Sequence, residues 1–422
     1  MAEQQSDRTK EQWIDKGLAH IHQRGQGNEA LDAFEHALGL EPTDIVANLG
    51  KGHSLWKLGR TEEARAIYEQ FLPQVPTDAP GFYLKGCALY SLQQYLEALA
   101  AFEQALHLAP IYAPAWHNKG VVLARLKRFD EALEACDQAT RLDPLLARAW
   151  YSKGTVLAGL KRFDEALDAL EQAIHLEPDN ARAWINKGAV LENLKRFNEA
   201  LAACERSIQL DPENTKVWHN KGDVLGNLKR FDEALDACKQ AIRLDSAFAG
   251  AWNNKGWVLG NLKRFDEALD ACERATQLDP TNAGAWNNKG WILENLQRFN
   301  EALEAYEQTL RLDPTYAKAW SNKGRVLGKF RRFWRPGKLT YSTEALEACE
   351  QALRLEPTNA SAWGSKAWLL GELKRFDEAL EAYEQVLRLD PTNVSAKSNK
   401  EWVLGKLALT QQTKWPPKPD HI

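Results

Sequence analysis

The sequence is short of the residues and patterns on which most chemistry depends. It has six cysteines and nine histidines in 422 residues. No two cysteines stand as C-x-x-C, which removes the commonest zinc and redox frameworks. No phosphate-binding glycine loop, nucleophile elbow or metal-ligand spacing occurs. An enzyme is therefore not expected, nor a metal or other cofactor. No apolar run approaches the roughly 18 residues of a membrane span. The start, MAEQQSDRTKEQW, lacks the apolar region of a secretory signal, so the expected location is the cytoplasm. Charge of one sign is also missing. The net charge of −4 argues against a dedicated nucleic-acid binder, which would carry a basic surplus.

What the chain does have is repetition. An Ala-Trp pair, or its equivalent, places Trp at 116, 150, 184, 218, 252, 286 and 320, a period of 34 residues. The next such residue, Trp363, comes after nine extra residues, WRPGKLTYS at 334–342. Within one unit, Trp252, Gly256, Leu259 and Leu262 share a face of a first helix. Ala268, Leu269, Cys272, Ala275 and Leu278 recur at the same spacing in a second. Asp266 is a candidate N-cap for that second helix, and Pro280 stops it. One such hairpin cannot bury its apolar face alone, whereas a stack of them can. The chain divides into a leading segment (1–9), a repeat array (10–396) with the insertion at 334–342, a closing helix (397–410) and a Pro-rich tail (411–422) expected to be disordered.

Trp252, Gly256, Leu259, Ala268, Ala275 and Pro280 resemble, at matching positions of a 34-residue unit, the tetratricopeptide repeat family. The resemblance covers nearly the whole chain. It implies an all-α, right-handed superhelical solenoid of about eleven helix-turn-helix repeats with a C-terminal capping helix. It also implies a concave groove, lined by the first helices, that holds an extended peptide or a partner's helix. The chain departs from the family in Lys255, where a Leu is usual, and in the Cys residues that replace a large residue of the second helix. Asn48 stands in the Trp slot.

Features identical in every unit are most simply scaffold, and a ligand is read by positions that vary. The lysine at 119, 153, 187, 255, 289, 323 and 366 recurs at one position, so a carboxylate of the second helix or of the Leu-Asp-Pro linker is its expected partner. Cys136, Cys204, Cys238, Cys272 and Cys349 share a slot with Leu170 and Tyr306, which marks it as core. His117 and His219 occupy equivalent slots three repeats apart and are not expected to share a metal.

The variable slots are more telling. One reads Cys87, Val121, Thr155, Ala189, Asp223, Trp257, Trp291, Arg325, Trp368 and Trp402. It lies about 140° from the face of Trp252, away from the hairpin's own core. One turn earlier stand Tyr83, His117, Tyr151, Ile185, His219, Asn253, Asn287 and Ser321. Aromatics and Arg are typical binding anchors, and amides hold peptide backbones. These residues, with Trp257, Trp291, Trp368, Trp402 and Arg325 foremost, are the candidate groove. The alternative role for the Trp row is packing between adjacent first helices. A second row includes Asn254 and Asn288 and is similar to the asparagine ladder of the O-linked N-acetylglucosamine transferase repeats. Arg148, Arg182, Lys216 and Lys318 form a broken basic stripe. The insertion clusters Lys329, Arg335 and Lys338 around Trp334, as a rim loop between the two helices of its unit.

A non-catalytic protein-interaction scaffold is the expectation, with a peptide or helix of another protein in the groove and a second copy of the chain as a further candidate. The competing expectation is an RNA-binding or acidic-ligand-binding repeat protein that uses the basic stripe and the loop at 329–338.

Overall fold

Residues 249–282 show how one repeat is built in the computed structural model, which describes residues 8–21, 25–333 and 340–413. The first helix, Ala249–Asn261, ends at Leu262. Lys263 follows with φ of 61°. Its N–H reaches Gly260 O at 3.0 Å, and the N–H of Arg264 reaches Leu259 O at 2.9 Å. This double bond pattern closes a helix through one left-handed residue, a position that usually takes Gly. Here Lys or Gln fills it in eight repeats.

The second helix, Phe265–Leu278, starts without a side-chain cap. Asp266, expected as the N-cap, lies one residue inside the first turn, where its charge meets the helix dipole instead. The residue at the cap is Arg264. It donates two bonds, each 2.7 Å, to the Glu267 carboxylate. The same clamp recurs, for example in Arg128–Glu131 and Arg375–Glu378. In the linker, Asp279 accepts from Thr281 N and Oγ1. The Leu-Asp-Pro acid thus folds its own turn. The lysine's partner is the other carboxylate foreseen, on the preceding second helix, as in Lys289–Glu273 at 3.2 Å and Lys323–Glu307 at 2.9 Å.

The repeated tryptophan is not a core residue as expected. Trp286 is half-buried, and its indole N–H donates to Pro280 O at 3.0 Å. Lys289 Nζ lies 5.5 Å from the ring centre, a cation–π contact. The bracket recurs, for example at Trp116 and Trp363, and fastens the linker to the helix that follows. The core itself is made by Ala251, Val258, Leu259, Ala268, Ala271, Cys272 and Ala275, all buried. The cysteines sit in this core as free thiols. Burial pushes the Cys272 thiol up to about 12, so it stays protonated and inert.

The described residues form 23 helices, read as eleven pairs and a last single helix, Val394–Thr413. They fall into two units, residues 1–212 and 213–422. The first holds six pairs, the second five pairs and the single helix. In each unit, second helices pack on the next first helix, except that Thr61–Phe71 leaves this to its own first helix, Ile45–Lys57, which packs on Ala79–Ser91; first helices also meet one another. Each unit is therefore an all-α solenoid of stacked hairpins. At the insertion, the flanking helices extend to Phe333 and from Thr340. Trp334, Arg335 and Lys338 lie outside the described residues, as do residues 414–422 of the expected tail. Among the described residues no helix is long and apolar enough to cross a membrane.

Candidate functional site

In the second unit the variable tryptophans meet glycine. A Cβ added at Gly226 would fall 2.3 Å from Trp257 Cζ3, and one at Gly260 would fall 2.4 Å from Trp291 Cζ3. Gly328 stands in the same relation to Trp368, at 2.5 Å, and Gly371 more loosely to Trp402, at 3.6 Å. Each ring lies on the bare backbone of the preceding first helix. Trp257, Trp291 and Trp368 are half-buried, while Trp402, on the last helix, is 50% exposed. Trp257 also meets the Phe231 ring edge-on at 6.1 Å.

One repeat departs from this pairing. Glu294 replaces the glycine and Arg325 replaces the tryptophan. Arg325 Nη1 bonds Glu294, Lys329 Nζ joins at 3.0 Å, and Tyr306 Oη donates to the same carboxylate at 3.3 Å. The Glu294 side chain is 2% exposed, against 30% for Arg325 and 41% for Lys329. Two cations on one buried acid leave net positive charge on the solvent side.

The asparagine row ties repeats together. Asn288 Nδ2 donates to Asn253 Oδ1 at 2.9 Å, and Asn322 Nδ2 to Asn287 Oδ1 at 3.1 Å. Asn254 bonds His219 Nδ1 at 2.9 Å. In the first unit, Asn118 and Asn186 donate at 3.2 Å to the hydroxyls of Tyr83 and Tyr151. Every one of these links spans 35 residues. Asn287 is 1% exposed. The amides foreseen as peptide ligands thus bond partners in the preceding repeat, an amide, a histidine or a tyrosine.

Two clefts open among the variable slots. In the second unit, a cavity of about 710 Å³ is lined by Arg325, Lys329, Gly364, Trp368, Tyr383 and Asn399, among others. In the first unit, about 480 Å³ is lined by Tyr90, His117, Arg125, Arg148, Tyr151 and Arg182, among others. His117 is buried, and burial with Arg148 nearby drives its imidazole down to about 3. The ring is therefore neutral at pH 7. Of the foreseen groove residues, Arg325 and Trp368 come together in one cleft, and Arg148, Tyr151 and Arg182 in the other. Trp257 and Trp291 line neither, and Lys216 is exposed. His219 meets Asp223 at 3.5 Å, and burial raises the Asp223 carboxyl above its usual range. Sequence reasoning missed Arg125 and Gly364. The glycine was detectable as a slot left empty after Ser321 in an otherwise occupied row. Among the described residues no three His, Cys, Asp or Glu are placed to hold a metal.

A family model described as the Cilia and flagella-associated protein 70 C-terminal domain matches residues 4–245. The tetratricopeptide repeat model matches 249–282, 283–316 and 360–393, and a protein prenyltransferase alpha subunit repeat model matches 231–262. No curated protein matches. Among solved structures, the chain is similar to one in the APC/C hetero-tetramer Cut9–Hcn1, with a TM-score of 0.50 and 15% identity over 93% of this chain and 95% of that one. YrrB, a TPR protein with an unusual peptide-binding site, aligns with 24% identity and a TM-score of 0.36 over 44% of this chain and 96% of its own. With helix pairs stacked at a 34-residue period and these family models matched along it, the chain belongs to the tetratricopeptide repeat family.

Proposed function

We propose that the chain is a non-catalytic scaffold in the cytoplasm that holds an extended peptide or a helix of a partner protein against its first helices. The observation that carries this is the coincidence of a wide cleft with the variable slots. About 710 Å³ opens beside Arg325 and Trp368, positions that differ from repeat to repeat, while the invariant positions are spent on linker brackets and core. Clefts of this size with a few convergent polar groups are the usual form of binding sites. The six free thiols fit a reducing compartment.

The test is a pulldown from nuclease-treated cell extract read by mass spectrometry. It compares the intact chain with Trp368→Ala and Arg325→Ala variants after circular dichroism confirms helicity. A protein retained by the intact chain and lost with both variants is the expected result. Retention by all three would overturn the cleft assignment, and capture that vanishes with nuclease would replace the reading by RNA binding.

A further inference from the structure

We infer that the cleft beside Gly364 is a side-chain pocket for a partner peptide that carries a large apolar residue next to an acidic one. This rests on the scaffold reading and adds the chemistry of the ligand.

The first observation is the glycine. Gly364 lies inside the helix Ala360–Glu372, where glycine is less favourable than alanine because its backbone loses more freedom. The glycines under the tryptophans have a reason, because a Cβ there would collide with a ring. At Gly364 a Cβ would meet nothing within 4 Å. No neighbour in the chain needs this glycine, and the space above it is left open.

The second observation is the ladder. Asn399 stands 35 residues after Gly364, the register in which Asn288 and Asn322 reach Asn253 and Asn287. Without a side chain at 364 that link cannot form. Asn399 instead lines the cleft beside Tyr383. The inter-repeat bond has been exchanged for a polar group beside an opening.

The third observation is the lining. Ala360, Trp368, Val386 and Ala396 supply apolar surface, and Ser361, Ser395 and Asn399 supply hydrogen-bonding groups. Arg325 and Lys329 supply the only charge among the described lining residues. Their shared acid, Glu294, is almost wholly covered. A peptide carboxylate is therefore met by two cations without a facing acid. One net positive charge is too little to track a nucleic-acid backbone, which is bound through many phosphate contacts.

The test uses a random 12-residue phage-displayed library selected on the full chain, followed by fluorescence anisotropy with the best synthetic peptide. The expected peptides share a large apolar residue with an Asp or Glu close by. Gly364→Leu fills the space and weakens binding at least tenfold, with the melting temperature unchanged or raised. Gly364→Asn copies the two earlier repeats, gives Asn399 its acceptor, and also weakens binding. Lys329→Ala weakens binding three- to tenfold, and removing the peptide's acid then costs little more. Binding unchanged by both Gly364 variants but lost with Arg148→Ala would move recognition to the other cleft. That result overturns this inference and leaves the scaffold reading standing. A selection that enriches no peptide over bare support would overturn both. A dimer of the intact chain that Gly364→Leu abolishes would make a second copy the occupant and overturn the inference as stated.

Discussion

The start of the first unit and the second unit place their bulk on opposite members of the same pair of positions. The pair joins one first helix to the next at a spacing of 31 residues. In the first unit it reads Trp56 with Cys87 and Tyr90 with Val121, large then small, and then Ala124 with Thr155 and Ala158 with Ala189, small on both sides. In the second it reads Gly226 with Trp257 and Gly260 with Trp291, small then large. Glu294 with Arg325 fills it with charge. Close packing requires that the space between adjacent helices be filled but not which helix fills it. A tryptophan at such a position is therefore explained first by the glycine opposite, and becomes a candidate ligand contact only where, like Trp368, it also borders a cleft.

The largest expected effect comes from filling both members. Gly260→Val should destabilise the second unit by about 1–3 kcal/mol through overpacking on Trp291. Trp291→Ala added to it should restore part of the loss, measured as a double-mutant cycle by chemical denaturation. The mirror experiment is Val121→Trp in the first unit, destabilising alone and better tolerated with Tyr90→Gly. Additive effects in both cycles would dissolve the comparison.

Glu294→Ala leaves Arg325 and Lys329 without their acid. Breaking a buried pair costs about 3–5 kcal/mol, but both cations reach solvent, so about 1–2 kcal/mol is expected here. The loss should change little with salt if the acid is as covered as it stands.

Acid should separate the units by sign. His117 has its folded value lowered to about 3 from the ordinary 6.5. Between those values the unfolded chain binds the proton and the folded chain does not, so stability is full above pH 6.5 and falls as pH drops toward 3. His117→Asn should flatten that limb of the melting profile. Asp223 in the second unit is raised instead. Its charge opposes folding at neutral pH, and that penalty fades as pH falls through the raised value. Asp223→Asn should therefore stabilise at pH 7 and do little in strong acid.

The smallest effect should be the same in both units. Lys161→Gly and Lys263→Gly each relieve a left-handed residue, for a gain of about 0.5–1 kcal/mol. Equal gains in urea melts are expected. A loss at either site would mean the lysine side chain supports its turn.

Much of the fold was legible because its causes lie close in sequence and recur. The 34-residue period, the core slot of Cys272 and the stop at Pro280 follow from helical spacing and proline chemistry. The clamp between Arg264 and Glu267 spans three residues and is within local reach, yet residue type alone points to Asp266 as the cap. Helical phase also set Trp257 apart from the hairpin's own core. The sequence by itself thus determined what each repeat is: two helices, their ends and their inward faces. Only the tertiary structure decided what each outward residue meets. Trp257 lies on a glycine 31 residues back, Asn288 bonds an amide 35 residues back, and the space above Gly364 is empty. Local periodicity fixes the direction of a side chain. The occupant of the space it enters is set by the stacking of one repeat on the next.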